Sequence, residues 1–294
     1  SGDLPRAIQD YTTATEVDAE YPVAYYARGV VYRHLGEFEK AILDYTVAID
    51  LEPEDADFYY ARGVAHASMK HYDQAISDFN QALGLDPEMP NAYYNLGIAY
   101  RDLGQRAAAL KNYSRALELR PYDADYYYAR ANLFSDLGDY SQAVQDYDQA
   151  IQVVPDFANA YYNRGIAHRN LGQAQKALED FNRTFELGQS FAYLYHNHGV
   201  ALLDLEDYDA AIADFNRSLE MDSNHANAYY FRGKARARKG DFGLAVADFT
   251  QAIELRPRFA EAFRDRAEAH QALGDQDSAA ADLERFRQLS QRTG

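Results

Sequence analysis

From residue 90 to residue 123 apolar side chains recur every three or four positions, twice over, with a polar break between the two runs. That spacing puts the apolar residues on one stripe of a helix. It predicts a first helix over residues 91–103 and a second over Arg106–Leu119. Gly104 stands where the first must stop and suits a left-handed cap. Pro121 lies just past the second, which it cannot extend. The stretch then repeats itself: shifted by 34 residues, Tyr93 falls on Tyr127, Gly97 on Ala131, Ala109 on Ala143 and Pro121 on Pro155. A fixed period of this size marks helix pairs that stack on their neighbours.

The period divides residues 22–293 into eight contiguous units, 22–55, 56–89, 90–123, 124–157, 158–191, 192–225, 226–259 and 260–293. Residues 1–21 read as the second helix of a further, partial unit, since Gly2, Ala7, Tyr11 and Ala14 match Gly104, Ala109, Tyr113 and Ala116. The expected fold is all-α, an α-solenoid of stacked antiparallel helix pairs.

Small residues hold one place on each helix: Gly29, Gly63, Gly97, Gly165, Gly199 and Gly233 with Ala131 and Ala267 on the first, and Ala41 to Ala279 at the same period on the second. Helices joined by a short turn approach closely only where no side chain stands at the crossing. The aromatics beside it are expected to be core: Tyr25, Tyr59, Tyr93, Tyr127, Tyr161, Tyr195, Tyr229 and Phe263, then Tyr45, Phe79, Tyr113, Tyr147, Phe181, Phe215 and Phe249.

This pattern resembles the tetratricopeptide repeat (TPR) family. An aromatic is followed four residues on by Gly, then by the Ala, aromatic, Ala and Pro of the second helix, over almost the whole chain. The resemblance implies a right-handed superhelix whose first helices line a concave groove, and a protein that binds peptides or proteins rather than one that catalyses.

One departure from the family is systematic. Where it usually has Leu before the Gly, this chain has Arg28, Arg62, Arg130, Arg164, Arg232 and Arg266, each with an acid sixteen residues on: Asp44, Asp78, Asp146, Asp180, Asp248 and Asp282. At residues 90–123 both change together, to Leu96 and Asn112, and the unit at Ala192 has His198 and Asp214. These read as ion pairs between the two helices or between neighbouring units. Stranding one charge of a buried pair costs about 3–5 kcal/mol while replacing both can be neutral, which accounts for the joint loss. The alternative is an arginine track for an acidic ligand.

Family geometry places the groove row one residue after the first-helix aromatic, at Tyr26, Tyr60, Tyr94, Tyr128, Tyr162, His196 and Tyr230. Asn95, Asn163, Asn197 and Asn132 accompany it, with Arg33, Arg101 and Arg169 farther along. Rings give contact area at low entropy cost and amides can pair with a peptide backbone, so this set would hold an extended peptide. The competing reading is that the tyrosines only pack on one another. Asn132, Asn163 and Asn197 resemble the amides of the carboxylate clamp found in chaperone-binding members, but Tyr128 stands where that clamp has Lys.

Charge narrows the partners. Twenty-nine Lys and Arg against 46 Asp and Glu give a net charge of −17, against nucleic acid and anionic membrane and in favour of a basic or extended protein partner. No apolar run approaches the roughly 18–20 residues of a membrane span. The chain reads as soluble, the cytoplasm favoured, with an upstream targeting segment left open. Zero cysteines exclude disulfides and thiolate sites. No HExxH or phosphate-binding loop is present, and His66, His168 and His270 share one place per unit as packing residues. No catalytic residue, metal site or cofactor is expected. Residues 184–207 are the least regular, with Thr184, Gly188, Gln189, Glu206 and His196 at positions that elsewhere follow the pattern; they read as a local change of pitch or as a groove subsite of different chemistry. Asp277 to Arg292 resembles a cap, and the lone opening helix would leave an apolar side to self-associate or to meet residues of a longer chain.

The expected function is a non-catalytic scaffold holding a peptide or protein in its groove. The alternatives are the recruiting arm of a larger enzyme or signalling protein, and a self-associating structural solenoid.

Overall fold

A computed structural model describes residues 4–291, so Gly2, Arg292 and Thr293 lie outside it. Among the described residues there are seventeen α-helices and no strand. They are α1 (Leu4–Val17), α2 (Pro22–His34), α3 (Phe38–Leu51), α4 (Ala56–Ser68), α5 (Tyr72–Leu85), α6 (Pro90–Asp102), α7 (Arg106–Leu119) and α8 (Ala124–Asp136), forming one compact unit that ends at Leu137. A second, from Gly138, holds α9 (Tyr140–Val153), α10 (Ala158–Asn170), α11 (Ala174–Glu186), α12 (Ala192–Asp204), α13 (Tyr208–Met221), α14 (Ala226–Lys239), α15 (Phe242–Leu255), α16 (Ala260–Ala272) and α17 (Gln276–Ser290). Within each unit consecutive helices pack as antiparallel pairs, and each pair packs on the next.

The expected boundaries hold to one residue: α6 opens on Pro90, whose fixed φ suits a first helical turn, and stops at Asp102. Gly104 follows in the left-handed region at φ +75°. Lys70 and Glu206 occupy the matching turn at φ +61° and +62°, where side chains are disfavoured. The helix crossings are closest where the small residues stand. A methyl group on Gly97 would lie 2.4 Å from the Tyr113 ring, and one on Gly63 2.8 Å from Phe79.

The core is asymmetric. Second-helix rings Tyr45, Phe79, Tyr113, Phe181, Phe215 and Phe249 are at most 1% exposed, with Ala41, Ala75, Ala109, Ala177, Ala211 and Ala245 beside them. The first-helix rings expected with them, Tyr25, Tyr59, Tyr93, Tyr161, Tyr195 and Tyr229, are only half-buried. Several lie beneath guanidinium groups: Arg28 is 5.5 Å from the Tyr25 ring centre, Arg62 5.8 Å from Tyr59 and Arg232 5.3 Å from Tyr229.

Candidate functional site

Two arrays run along the helix pairs. The first is the arginine–aspartate set. Arg28 donates through Nε and Nη2 to both oxygens of Asp44, at 2.8 and 2.7 Å. Arg62 does the same with Asp78 at 2.9 and 2.7 Å, Arg164 with Asp180 at 3.0 and 2.5 Å, and Arg266 with Asp282 at 2.8 and 2.7 Å. This parallel two-bond fork is the strong geometry for a guanidinium and a carboxylate. The hydrogen bond that Asp44 accepts holds Arg28 above its ordinary pKa, and Asp78 does so for Arg62.

The remaining nitrogen of each guanidinium reaches sixteen residues backwards, to the second helix of the preceding pair. Arg62 Nη1 donates to Thr46 Oγ1 (3.2 Å), Arg130 to Ser114 Oγ (3.0 Å), Arg164 to Asp148 Oδ1 (2.6 Å), Arg232 to Asn216 Oδ1 (2.6 Å) and Arg266 to Thr250 Oγ1 (2.9 Å). His198 reproduces the arrangement with a ring, contacting Asp214 on one side and Asn182 on the other. The ion pairs sixteen residues ahead thus join the two helices of one unit, while across units the same guanidinium makes hydrogen bonds to neutral groups, with an ion pair at Arg164 and Asp148. Four residues further along the first helix stand His66, His168 and Arg236. The two histidines lie 3.9 Å from Asp78 and Asp180, and Arg236 2.8 Å from Asp248.

The second array is the tyrosine row. Tyr26, Tyr60, Tyr94 and Tyr162 are half-buried, each about 6 Å from the second-helix ring of its own pair: 5.8 Å to Tyr45, 5.9 Å to Phe79, 5.9 Å to Tyr113 and 6.0 Å to Phe181. The next pair ties down several of them. Asn95 Nδ2 donates to the Tyr60 hydroxyl at 3.1 Å, Asn197 Nδ2 to that of Tyr162 at 2.9 Å, and the Tyr230 hydroxyl donates to Asp265 at 2.7 Å. Asn95 and Asn197 therefore already use an amide proton within the chain.

His196, Asn197 and Tyr230 are 6, 7 and 6% exposed, less than the other tyrosines of the row. Phe231 and His225 cover His196, at 5.5 and 4.7 Å between ring centres, and Phe259 covers Tyr230 at 4.6 Å. Burial pulls the His196 pKa down to about 3, with the nearby His225 and Arg169 adding to it. Tyr128, Asn132 and Asn163 are partly buried.

Among the cations of the row, Arg101 is held 2.8 Å from Asp102. Arg169 is half-buried, and desolvation lowers its pKa. Lys234 sits over the rings of Tyr230 and Phe231, at 5.7 and 5.5 Å. Around it Arg238 and Arg264, with Asp265 and Glu268, line a cavity of about 380 Å³ floored by Phe242 and Phe249. Its balance of three cations against two acids is not legible in the sequence, because they come from two helices thirty residues apart.

No group of three or more His, Asp or Glu among the described residues could hold a metal ion. No described helix is long and apolar enough to cross a membrane.

An all-α stack of short antiparallel pairs, with glycine at the crossing and one aromatic filling each pair, defines a helical-repeat solenoid. The chain belongs to the tetratricopeptide repeat family. Profiles described as TPR repeat match residues 1–36, 31–70, 68–104 and 131–172, and those described as tetratricopeptide repeat match 90–123, 112–145, 158–187, 196–248 and 232–291. Among solved structures it is similar to YrrB, a TPR protein with an unusual peptide-binding site (24% identity, TM-score 0.51, covering 60% of this chain and 91% of that one). It is similar also to MamA (26%, 0.53, 56% and 91%) and to the Pseudomonas aeruginosa protein pilF (19%, 0.62, 72% and 97%). No curated protein matches the chain. TPR proteins generally serve as interaction scaffolds, and the fold is typically non-catalytic.

Proposed function

We propose that the chain is a scaffold that binds an extended peptide along the first helices, with the proposed repeats at 22–55 through 260–293 as its frame. The observation that carries this is the cavity around Lys234, Arg238 and Arg264, in a chain whose net charge is −17. Arg264 is paired with Asp265 at 2.8 Å, but with Lys234 and Arg238 the lining stays net positive, which in so acidic a protein favours an acidic side chain or terminal carboxylate there, held as charge-assisted hydrogen bonds. The exposed parts of Tyr26, Tyr60, Tyr94, Tyr128 and Tyr162 supply apolar contact along the rest of the row, and Arg33, Arg101 and Arg169 its further donors.

The amides play a smaller part than their number suggests, since Asn95 and Asn197 brace tyrosines instead. Peptide-display selection against the wild-type chain tests the reading, with a Lys234→Glu, Arg264→Glu variant as counter-selection. Enrichment of acidic extended peptides that the variant no longer holds supports it. Equal enrichment on both, or none on either, overturns it.

A further inference from the structure

The array of forks has one gap. In the α14–α15 pair the guanidinium of Arg232 lies between Asp248, sixteen residues ahead, and Asn216, sixteen behind, above the ring of Tyr229. The corresponding places around α6 are Leu96, Asn112, Asn80 and Tyr93. All four line one cavity of about 680 Å³ between α5, α6 and α7.

Two of its walls are those of the other pairs. Asn80 stands where Asn216 accepts a bond from Arg232, and Tyr93 stands where Tyr229 carries that guanidinium. The third wall keeps an acceptor of reduced charge. Asn112 spends its Nδ2 on the carbonyl of Ala108, at 2.8 Å, which leaves its amide oxygen as the polar group at the place of the aspartate. A third substitution widens the opening. Position 84 is Gly, where the equivalent places carry Asp50, Glu118, Gln152, Glu186, Glu220 and Glu254, and a methyl group built on Gly84 would meet nothing within 4 Å.

Lys111, Arg115 and Glu118 also line the cavity, and Lys111 is exposed at its mouth, where solvent screens its charge. Arg115 is neutralised by Glu118 at 2.8 Å and lies 5.9 Å from the Tyr93 ring. The α10–α11 pair shows that this arrangement leaves room for a second guanidinium. There Tyr161 carries Arg183 at 5.9 Å, in the place of Arg115, and Arg164 as well, at 5.2 Å. Tyr93 carries one where Tyr161 carries two.

We propose that this cavity takes the arginine side chain of a partner protein, which stands in trans where the other helix pairs place their own. Its planar fork meets the oxygens of Asn112 and Asn80 and stacks on Tyr93, and the net charge of −17 draws such a basic partner in. Because the acid is an amide here, the guest is held reversibly, by neutral acceptors instead of a buried ion pair. None of the residues of the proposed peptide groove lines this cavity, so the two sites stand or fall separately.

The test uses acetyl-arginine methylamide as probe, followed by amide chemical shifts, with the citrulline and lysine analogues as controls. The wild-type chain is expected to show shifts centred on α6 and α7 with the arginine compound and not with citrulline. Asn112→Asp restores the carboxylate and is expected to tighten binding about tenfold, since a hydrogen bond to a charged group is worth roughly 1–1.5 kcal/mol more than a neutral one. The double variant Leu96→Arg, Asn112→Asp copies the fork of the neighbouring pairs and is expected to lose the probe while keeping its helical spectrum. Should Asn112→Asp fold poorly, the wild type and the double variant decide the matter. The proposal is overturned by absence of shifts in the wild type, by citrulline or lysine binding as well as arginine, or by shifts that persist in the double variant.

Discussion

Arg62 and Asp78, sixteen residues apart, are joined by two parallel hydrogen bonds of 2.9 and 2.7 Å, and the aspartate side chain is 6% exposed. A carboxylate so placed depends on its partner. Asp78→Ala leaves Arg62 with only Thr46 and is expected to cost about 3 kcal/mol. The double substitution Arg62→Leu, Asp78→Asn reproduces Leu96 and Asn112 and should cost clearly less than the two single changes added together. A double-mutant cycle in urea measures this; a coupling energy near zero would show the fork to be decoration.

The helix crossings are graded in tightness. A methyl group on Gly97 would approach Tyr113 to 2.4 Å, whereas one on Gly199 would sit 3.0 Å from Phe215. Gly97→Ala should therefore destabilise by about 1–2 kcal/mol through overpacking. At Gly199 the gain in helix propensity, about 1 kcal/mol, should roughly cancel the milder crowding. Equal melting shifts for the two variants would contradict the geometry.

Tyr113 is fully buried, and its hydroxyl has no hydrogen-bond partner among the described residues. Burial raises its pKa accordingly. Since Phe79, Phe181 and Phe215 fill the same place in other pairs, Tyr113→Phe should stabilise by about 1 kcal/mol. Denaturation midpoints would reveal a loss instead if the hydroxyl were satisfied.

Glu206 holds the left-handed turn that Gly fills after most first helices, at φ +62°. Glu206→Gly is expected to raise stability by up to about 1 kcal/mol, the relief of the left-handed strain outweighing the added freedom of the unfolded chain. Gly104→Ala should lower it by a similar amount. Thermal melts of the two variants moving in the same direction would refute this.

Acid should weaken the α12–α14 region. His196 is 6% exposed, and burial lowers its pKa to about 3; burial lowers that of His225 as well. His196 stays neutral when folded until close to pH 3, and His225 protonates less readily than in the unfolded chain, which takes up protons near pH 6.5. The contribution of His196 is thus complete above pH 6.5 and declines as pH falls from there towards 3, by at most about 1.4 kcal/mol per pH unit, and that of His225 declines in the same direction. Urea midpoints between pH 7.5 and 5 should fall less steeply in His196→Phe, and an unchanged slope would remove His196 from the account.

Periodicity alone conveys most of the fold. Gly97, Ala109, Tyr113 and Pro121 each answer to one local demand, a close crossing, a filled pair or a stopped helix, and the helix ends follow from them to within a residue. The arginine–aspartate spacing was legible too, as a pairing, although not that each guanidinium also reaches sixteen residues back. The site was harder to read for a physical reason. Whether Asn95 faces a ligand or the Tyr60 hydroxyl depends on how two repeats meet, which neither repeat specifies by itself. His196 sits in the tyrosine row by count, yet His225 and Phe231, at and after the start of the next pair's first helix, cover it.

The replacement of the fork arginine by Leu96 on α6 also has a mechanical side. Arg28, Arg62, Arg164, Arg232 and Arg266 each bond to the helix before and the helix after their own, so that loosening one pair pulls on its neighbour. Leu96 clasps neither. Within the first compact unit the junction of α5 and α6 is therefore expected to open more readily than that of α3 and α4. Amide exchange on α6 faster than on α4, and evened out by Leu96→Arg with Asn112→Asp, is the sign of such a seam.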